Sequence, residues 1–190
     1  MIAKRLGGLW LFLAAMCASH AEATEYVIDP QVTTVSFKVR QFGMSEQTGE
    51  FSNVSGSVAF DAATARSTLE IALDSRSVRA DNGAAQSILR GRRMLDVERY
   101  PSIAYSASHI DFAQGKPRQI DGVLTLRGTA RPVALTVSEY DCAMSASGER
   151  CQFAATATFK RSDFGMDGFL GFISDQVVLA ILGVAQARSE

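Results

Sequence analysis

The chain of 190 residues sets 19 lysines and arginines against 20 aspartates and glutamates, a formal net charge of −1, and 47% of it is hydrophobic. That balance offers no basic surface to a nucleic acid, and the length suits one domain rather than several. Two histidines and three cysteines leave little material for metal or triad chemistry.

The first predicted element is an export signal. Lys4 and Arg5 precede the apolar run from Leu9 to Met16, and Ala21-Glu22-Ala23 has the small-x-small form of a cleavage site. This predicts residues 1–23 as a signal peptide and 24–190 as a single soluble β-barrel domain in the periplasm. The apolar run is too short to span a bilayer. Cys17 raises a lipid anchor as an alternative, but Met16 is too bulky for the position before a lipidated cysteine. With the leader removed, His109 is the one histidine and Cys142 and Cys151 are the two cysteines. An even pair in an exported chain reads as a disulfide, and tying the small polar connection between them would stabilise the fold by about 2–3 kcal/mol.

Short strands follow in order. Val35, Phe37 and Val39 alternate with Ser36, Lys38 and Arg40, and Gly43 ends that strand. Phe51 to Phe60 is the second, with a bend expected at Gly56, and Thr68 to Leu73 is the third. The period then changes to helical: after Asp81 as N-cap, Ala84, Ala85, Ile88, Leu89 and Leu95 recur on one face, predicting a helix from Gly83 to about Leu95. Its apolar stripe has to cover something, and the open end of a barrel is the natural partner.

Five strands follow the helix: Ile103 to Ser108, Gln119 to Leu126, Val133 to Tyr140, Gln152 to Lys160 and Asp175 to Ala187. The second and third form the clearest hairpin, turning at Gly128 with Pro132 placed at a strand's first position. The last is apolar on both faces, which predicts burial on both sides. The fold class is therefore all-β: an eight-stranded antiparallel barrel with one helix between strands 3 and 4, the size at which a barrel either fills itself or holds one small ligand. An open sandwich fits the same count.

Catalytic signals are missing. The acidic residues are scattered through turns and polar faces, no GxSxG elbow or phosphate-cradling glycine loop occurs, and no metal-ligand spacing is present. His109, beside Asp111, could ligate or switch protonation or is a lone surface histidine, and a carboxylate at the mouth is the other candidate for acid–base work. The more informative stretch is Phe164 to Ile173, where Phe and Leu alternate with Gly between two strands. It suits either a mobile apolar flap over a barrel mouth or a loop plugging a dry core. Arg90, Arg92 and Arg93 form either a phosphate-holding cluster at that mouth or a solvated helix face.

In this order and spacing, several short motifs resemble the YceI-like family of exported lipid- and polyisoprenoid-binding proteins. They are Tyr26-Val27-Ile28-Asp29 with Val35-Ser36-Phe37; Gly49-Glu50-Phe51; Ser77-Val78-Arg79-Ala80; Tyr100-Pro101-Ser102-Ile103 with Ser106; Gly122 to Gly128 through Pro132-Val133; and Arg161-Ser162-Asp163-Phe164-Gly165. Two departures stand out. Arg40-Gln41-Phe42 occupies the place of a histidine after the first strand, and Met94-Leu95-Asp96 replaces an aromatic-rich Phe-Phe-Asp. The resemblance implies a lipocalin-like barrel holding a long isoprenoid or similar amphiphile, and association with quinone or cytochrome b-type partners at the inner membrane.

The leading expectation is a non-enzymatic carrier of a polyisoprenoid or quinone-like lipid, with no resident cofactor and no metal. Its candidate lining residues on the early strands and the helix-following hairpin are Phe37, Val39, Ile71, Leu73, Tyr105, Leu124 and Leu126. Leu135, Val137, Phe153 and Phe159 continue the wall, and Phe164, Phe169 and Phe172 form the flap. The alternatives are an interaction module using the Phe169–Phe172 flap, and an enzyme that would need His109 to face the cavity.

Overall fold

The computed structural model describes residues 23–61, 66–146 and 148–188. The leader, with its alternative anchor Cys17, lies outside the described residues apart from Ala23.

Apolar and polar residues alternate along most of the chain after Ala23, and most of it forms strand. The elements are β1 (Thr24–Ile28), β2 (Thr34–Gln41), β3 (Ser45–Phe51), β4 (Val54–Asp61), β5 (Arg66–Asp74), β6 (Val78–Ala80), α1 (Gly83–Arg90), β7 (Ser102–Ala113), β8 (Lys116–Leu126), β9 (Thr129–Ser145), β10 (Gly148–Lys160) and β11 (Gln176–Ala187). Strands β1, β4, β5, β7, β8, β9, β10 and β11 pair in that order and β1 returns to β11, closing the expected eight-stranded antiparallel barrel.

The strand count of the sequence reading survives because three long strands are each broken in two. β11 pairs with β1 through Ala185–Ala187 and with β2 through 178–182. β3 and β4 continue one another across Ser52 and Asn53, and β5 and β6 across a short 3-10 turn at Ser75–Ser77. β1 itself was missed as a strand, being five residues long and without clean alternation. Beyond these breaks β2, β3 and β6 form a flared half whose last edge, at β6, meets no further strand. There α1 packs on β6.

The helix is shorter than its apolar stripe suggested. Asn82, not Asp81, is the N-cap, its Oδ1 accepting the Ala85 N–H at 2.9 Å, while Asp81 accepts the Thr48 hydroxyl. Gly91 ends the helix after Arg90, and Leu95 is brought back beneath it by its N–H, which donates to the Leu89 carbonyl at 2.9 Å. Two further expectations are corrected. β11 is not buried on both sides: a barrel wall has one inner face, and Leu182 on the outer face is 61% exposed. Pro132 is not the first residue of its strand but lies inside β9 opposite Val123. β10 pairs with β9 only from Thr136 onward, so the missing N–H falls on an edge with no ladder to complete. Arg127 and Gly128, both at positive φ, make the two-residue turn of that hairpin.

Cys142 and Cys151 are bonded and stand directly opposite one another on β9 and β10, their Cα atoms 4.0 Å apart. The connection between them is not the loop that its composition suggested: β9 runs to Ser145 and β10 resumes at Gly148, paired with it. Reduction removes about 2–3 kcal/mol of constraint on the unfolded chain. The melting temperature in dithiothreitol should therefore fall by about 5–10 °C while the protein stays folded at room temperature; an identical melt would show two unpaired thiols.

At the closed half, Tyr105 joins three strands. Its hydroxyl lies 3.0 Å from the Ile120 carbonyl and 2.9 Å from that of Val133. The ring passes over Gly122, where a Cβ would lie 2.4 Å from it. Burial first, then the charge of Asp121, pushes the phenol up to about 12. Tyr105→Phe should cost about 1 kcal/mol in urea unfolding, because it removes a hydroxyl bonded to two carbonyls inside the barrel. An unaltered midpoint would remove the hydroxyl from the account.

Candidate functional site

The two halves of the barrel are packed differently. In the closed half Ile28, Val54, Tyr105, Leu135, Phe153 and Ile181 mesh and leave about 40 Å³. In the flared half the walls stand apart and enclose about 340 Å³. Val35, Leu73, Leu124 and Leu179 border both spaces and partition them.

The larger cavity is built from inward residues of the flared strands, such as Phe37 and Val39 on β2, with Leu126 and Phe159 across from them. Phe37 keeps its place because Gly49 faces it: a Cβ there would lie 2.3 Å from the ring. Ala84, Ala85, Ile88 and Leu89 of α1 form the lid, with Met94 and Leu95 beneath. Polar groups in the wall are few: the amides of Gln41, Gln47 and Asn82, the Thr48 hydroxyl and the guanidinium of Arg161.

Arg161 is 1% exposed and faces no carboxylate at salt-bridge distance among the described residues. Its Nη1 donates to the carbonyls of Met166 (2.6 Å) and Gly168 (2.7 Å), Nε to Ser174 (3.0 Å) and Nη2 to Ile173 (3.0 Å). Burial pulls its pKa below the ordinary arginine value, against the charges of Asp175 and Asp167. One side chain thus gathers the whole segment from 166 to 174 against the barrel. Asp175 fixes the base of that segment by accepting the Ser162 N–H at 2.9 Å and its hydroxyl at 2.7 Å. Desolvation opposes the Asp175 charge, but those bonds and the nearby Arg161 and Lys160 hold its carboxyl below the usual carboxylate value. A depressed carboxyl stabilises fully above its unfolded value and loses that contribution as pH falls through the folded one. Below about pH 4 the urea midpoint should therefore fall, and fall less in Asp175→Asn; equal slopes would discount the interaction.

The proposed lining residues separate into groups. Phe37, Val39, Leu73, Leu124, Leu126 and Phe159 border the large cavity. Ile71, Tyr105, Leu135 and Phe153 border only the small one, and Val137 borders neither, packing against the core. Phe164 is a core residue, edge-to-face with Phe159 at 5.2 Å. Phe169 and Phe172 point outward and line neither space. The flap is therefore half plug and half rim: Phe164 and Met166 turn in, while Phe169, Leu170 and Phe172 turn out. It is also anchored at both sides, the Phe42 N–H donating to the Phe172 carbonyl and the Gly168 N–H to that of Arg93. The arginine cluster is divided too, with Arg90 donating to the Arg76 carbonyl and Arg93 stacked over Phe169 at 5.2 Å. His109 is on the outer surface, 68% exposed and 2.8 Å from Asp111, well away from the cavity wall.

A family model for the YceI-like domain matches residues 26–185. The chain belongs to the YceI-like family. Among curated YceI-like relatives, a UPF0312 protein of Pseudomonas aeruginosa is 29% identical, covering 98% of this chain and all of that one. One from Shewanella putrefaciens is 29% identical over 94% and 96% of the two chains. BcnA of Burkholderia cenocepacia superposes with a TM-score of 0.69 at 23% identity, over 84% of this chain and 99% of its own. A polyisoprenoid binding domain from Saccharophagus degradans, implicated in plant cell wall breakdown, gives 0.65 at 16%, over 86% and 98%. These YceI-like neighbours share the barrel. Both departures from the family's motifs fall on the cavity wall of this YceI-like chain, at Gln41 and at Met94-Leu95. The apolar stripe of α1, expected to cover the end of the barrel, also supplies wall to the cavity through Ala84, Ala85, Ile88 and Leu89.

Proposed function

We propose that the protein is a non-enzymatic carrier in the periplasm, holding a polyisoprenoid or quinone-like amphiphile in the flared half of the barrel. The observation that carries this is the cavity of about 340 Å³ walled almost wholly by hydrocarbon and opening past a few amides. Such a space admits roughly a dozen carbon-sized groups. Burying them gains about 25 cal/mol per Å² without any specific polar contact. The family membership and the printed description of the Saccharophagus domain as polyisoprenoid-binding support the same cargo class. The polar tip of an amphiphile would meet Gln41, Gln47, Thr48 and Asn82 on its way out.

A second reading makes the protein an interaction module for an inner-membrane cytochrome b-type partner, favoured by the exposed Leu170 and Phe172 beside the mouth. An enzyme built on His109 has no support, since that ring faces away from the cavity. Organic extraction of the purified protein followed by mass spectrometry should release a prenyl lipid. An empty extract with no thermal shift on adding prenyl lipids would sink the carrier.

A further inference from the structure

The mouth of the cavity is bordered by apolar side chains held out in solvent. Phe42 and Met44, at the turn between β2 and β3, and Phe172 on the anchored segment are 58%, 89% and 58% exposed. The rings of Phe42 and Phe172 meet edge to face at 5.6 Å. Their chain neighbours Gln41 and Ile173 bridge to one another and line the cavity, so this patch is the lip itself. The lip is stiff: the Phe42 N–H donates to Phe172 at 2.7 Å and the Ser174 N–H to Arg40 at 2.8 Å. Apolar groups held out on this tied backbone stand in water at a cost, which an apolar partner would remove.

Charge at this end singles out the partner. Arg40 and Arg93 are exposed beside the lip. Two of the carboxylates there are engaged, Glu46 by Lys38 and Asp81 by the Thr48 hydroxyl. Aromatic groups flanked by arginines suit the interface of an anionic bilayer, where rings enter the headgroup boundary and guanidinium groups meet phosphates. The cavity's size points the same way. Room for roughly a dozen carbon-sized groups leaves the rest of any long isoprenoid outside, needing apolar cover at the mouth.

We propose that this lip docks on the surface of an anionic phospholipid bilayer, Phe42, Met44 and Phe172 entering the interface and Arg40 and Arg93 facing phosphates. A lipid then passes between bilayer and cavity without crossing water. The proposal rests on the carrier reading. The test uses the chain from Ala23 onward, which contains every described element and lacks Trp10, the one tryptophan of the sequence. Phe172→Trp then carries a lone indole, whose emission should shift to the blue on adding vesicles of phosphatidylglycerol and phosphatidylethanolamine. The unsubstituted protein should float with those vesicles, and Phe42→Ser with Phe172→Ser should cut flotation about tenfold at an unchanged melting temperature.

Absence of flotation and of the blue shift overturns the proposal, as does flotation indifferent to the double substitution. Capture on detergent-solubilised membrane proteins, with none on protein-free vesicles, also overturns it by assigning the lip to a protein. Ala85→Trp, which fills the cavity, keeps the two readings apart: it should lose prenyl-lipid binding yet float as before. An empty organic extract from a protein that still floats would remove the cargo and leave the docking surface standing.

Discussion

Arg161→Met should lower the unfolding free energy by about 3–5 kcal/mol and the melting temperature by about 10 °C or more. The guanidinium satisfies four carbonyls between Met166 and Ser174 from a site 1% exposed. Methionine matches much of its volume and none of its donors. Each buried carbonyl left without a partner costs about 1–3 kcal/mol, and part of that is recovered where the loosened segment admits water. Arg161→Lys should rescue little, because an ammonium places its donors at one point while the four acceptors surround a planar fork. The loss should reach the cavity as well, since Met166 and Ile173 stand in its wall. A melt within about 2 °C of the parent would mean that the β-ladders hold this segment without the clamp.

This arginine also shows where sequence reading stopped. Arg161-Ser162-Asp163-Phe164-Gly165 was visible as a motif, but nothing local indicates that the side chain turns back to collect carbonyls five to thirteen residues ahead. The barrel was legible because it is written in a period of two, strand after strand, and the closing β1–β11 pair alone joined parts too short or too distant to announce themselves. Phe37, Leu124 and Leu126 were legible as inward residues for the same reason. Periodicity says which face a residue takes and not how far apart opposing faces stand. Leu135 and Phe153 therefore looked identical to Leu126 and Phe159, yet the first pair borders a nearly filled core and the second a hollow. The difference goes with β6, a three-residue strand beyond the 3-10 turn at Ser75–Ser77 that lies outside the predicted strand Thr68 to Leu73 and ends the flared half without a further neighbour. In the flap, Phe-Gly alternation marked an unusual segment but not its division. Phe164 turns inward within a 3-10 turn that Gly165 ends at a positive φ, whereas Phe169 itself adopts positive φ and turns out.

Ala85→Trp should weaken prenyl-lipid binding by about tenfold or more, roughly 1.4 kcal/mol, with little change in melting temperature. Ala85 is on the cavity side of α1, half-buried, in a helix with no fully buried residue, so a larger side chain enters open space instead of a meshed core. An indole occupies a large share of a volume with room for roughly a dozen carbon-sized groups, and what it occupies the cargo loses. The same change at Leu135 would overpack the closed half and test stability only. Fluorescence titration with a short prenyl alcohol, run beside Ala85→Ser as a control of similar size, isolates the effect of volume. Equal affinity in the two variants, both normally folded, would place the cargo somewhere other than the flared half of the barrel.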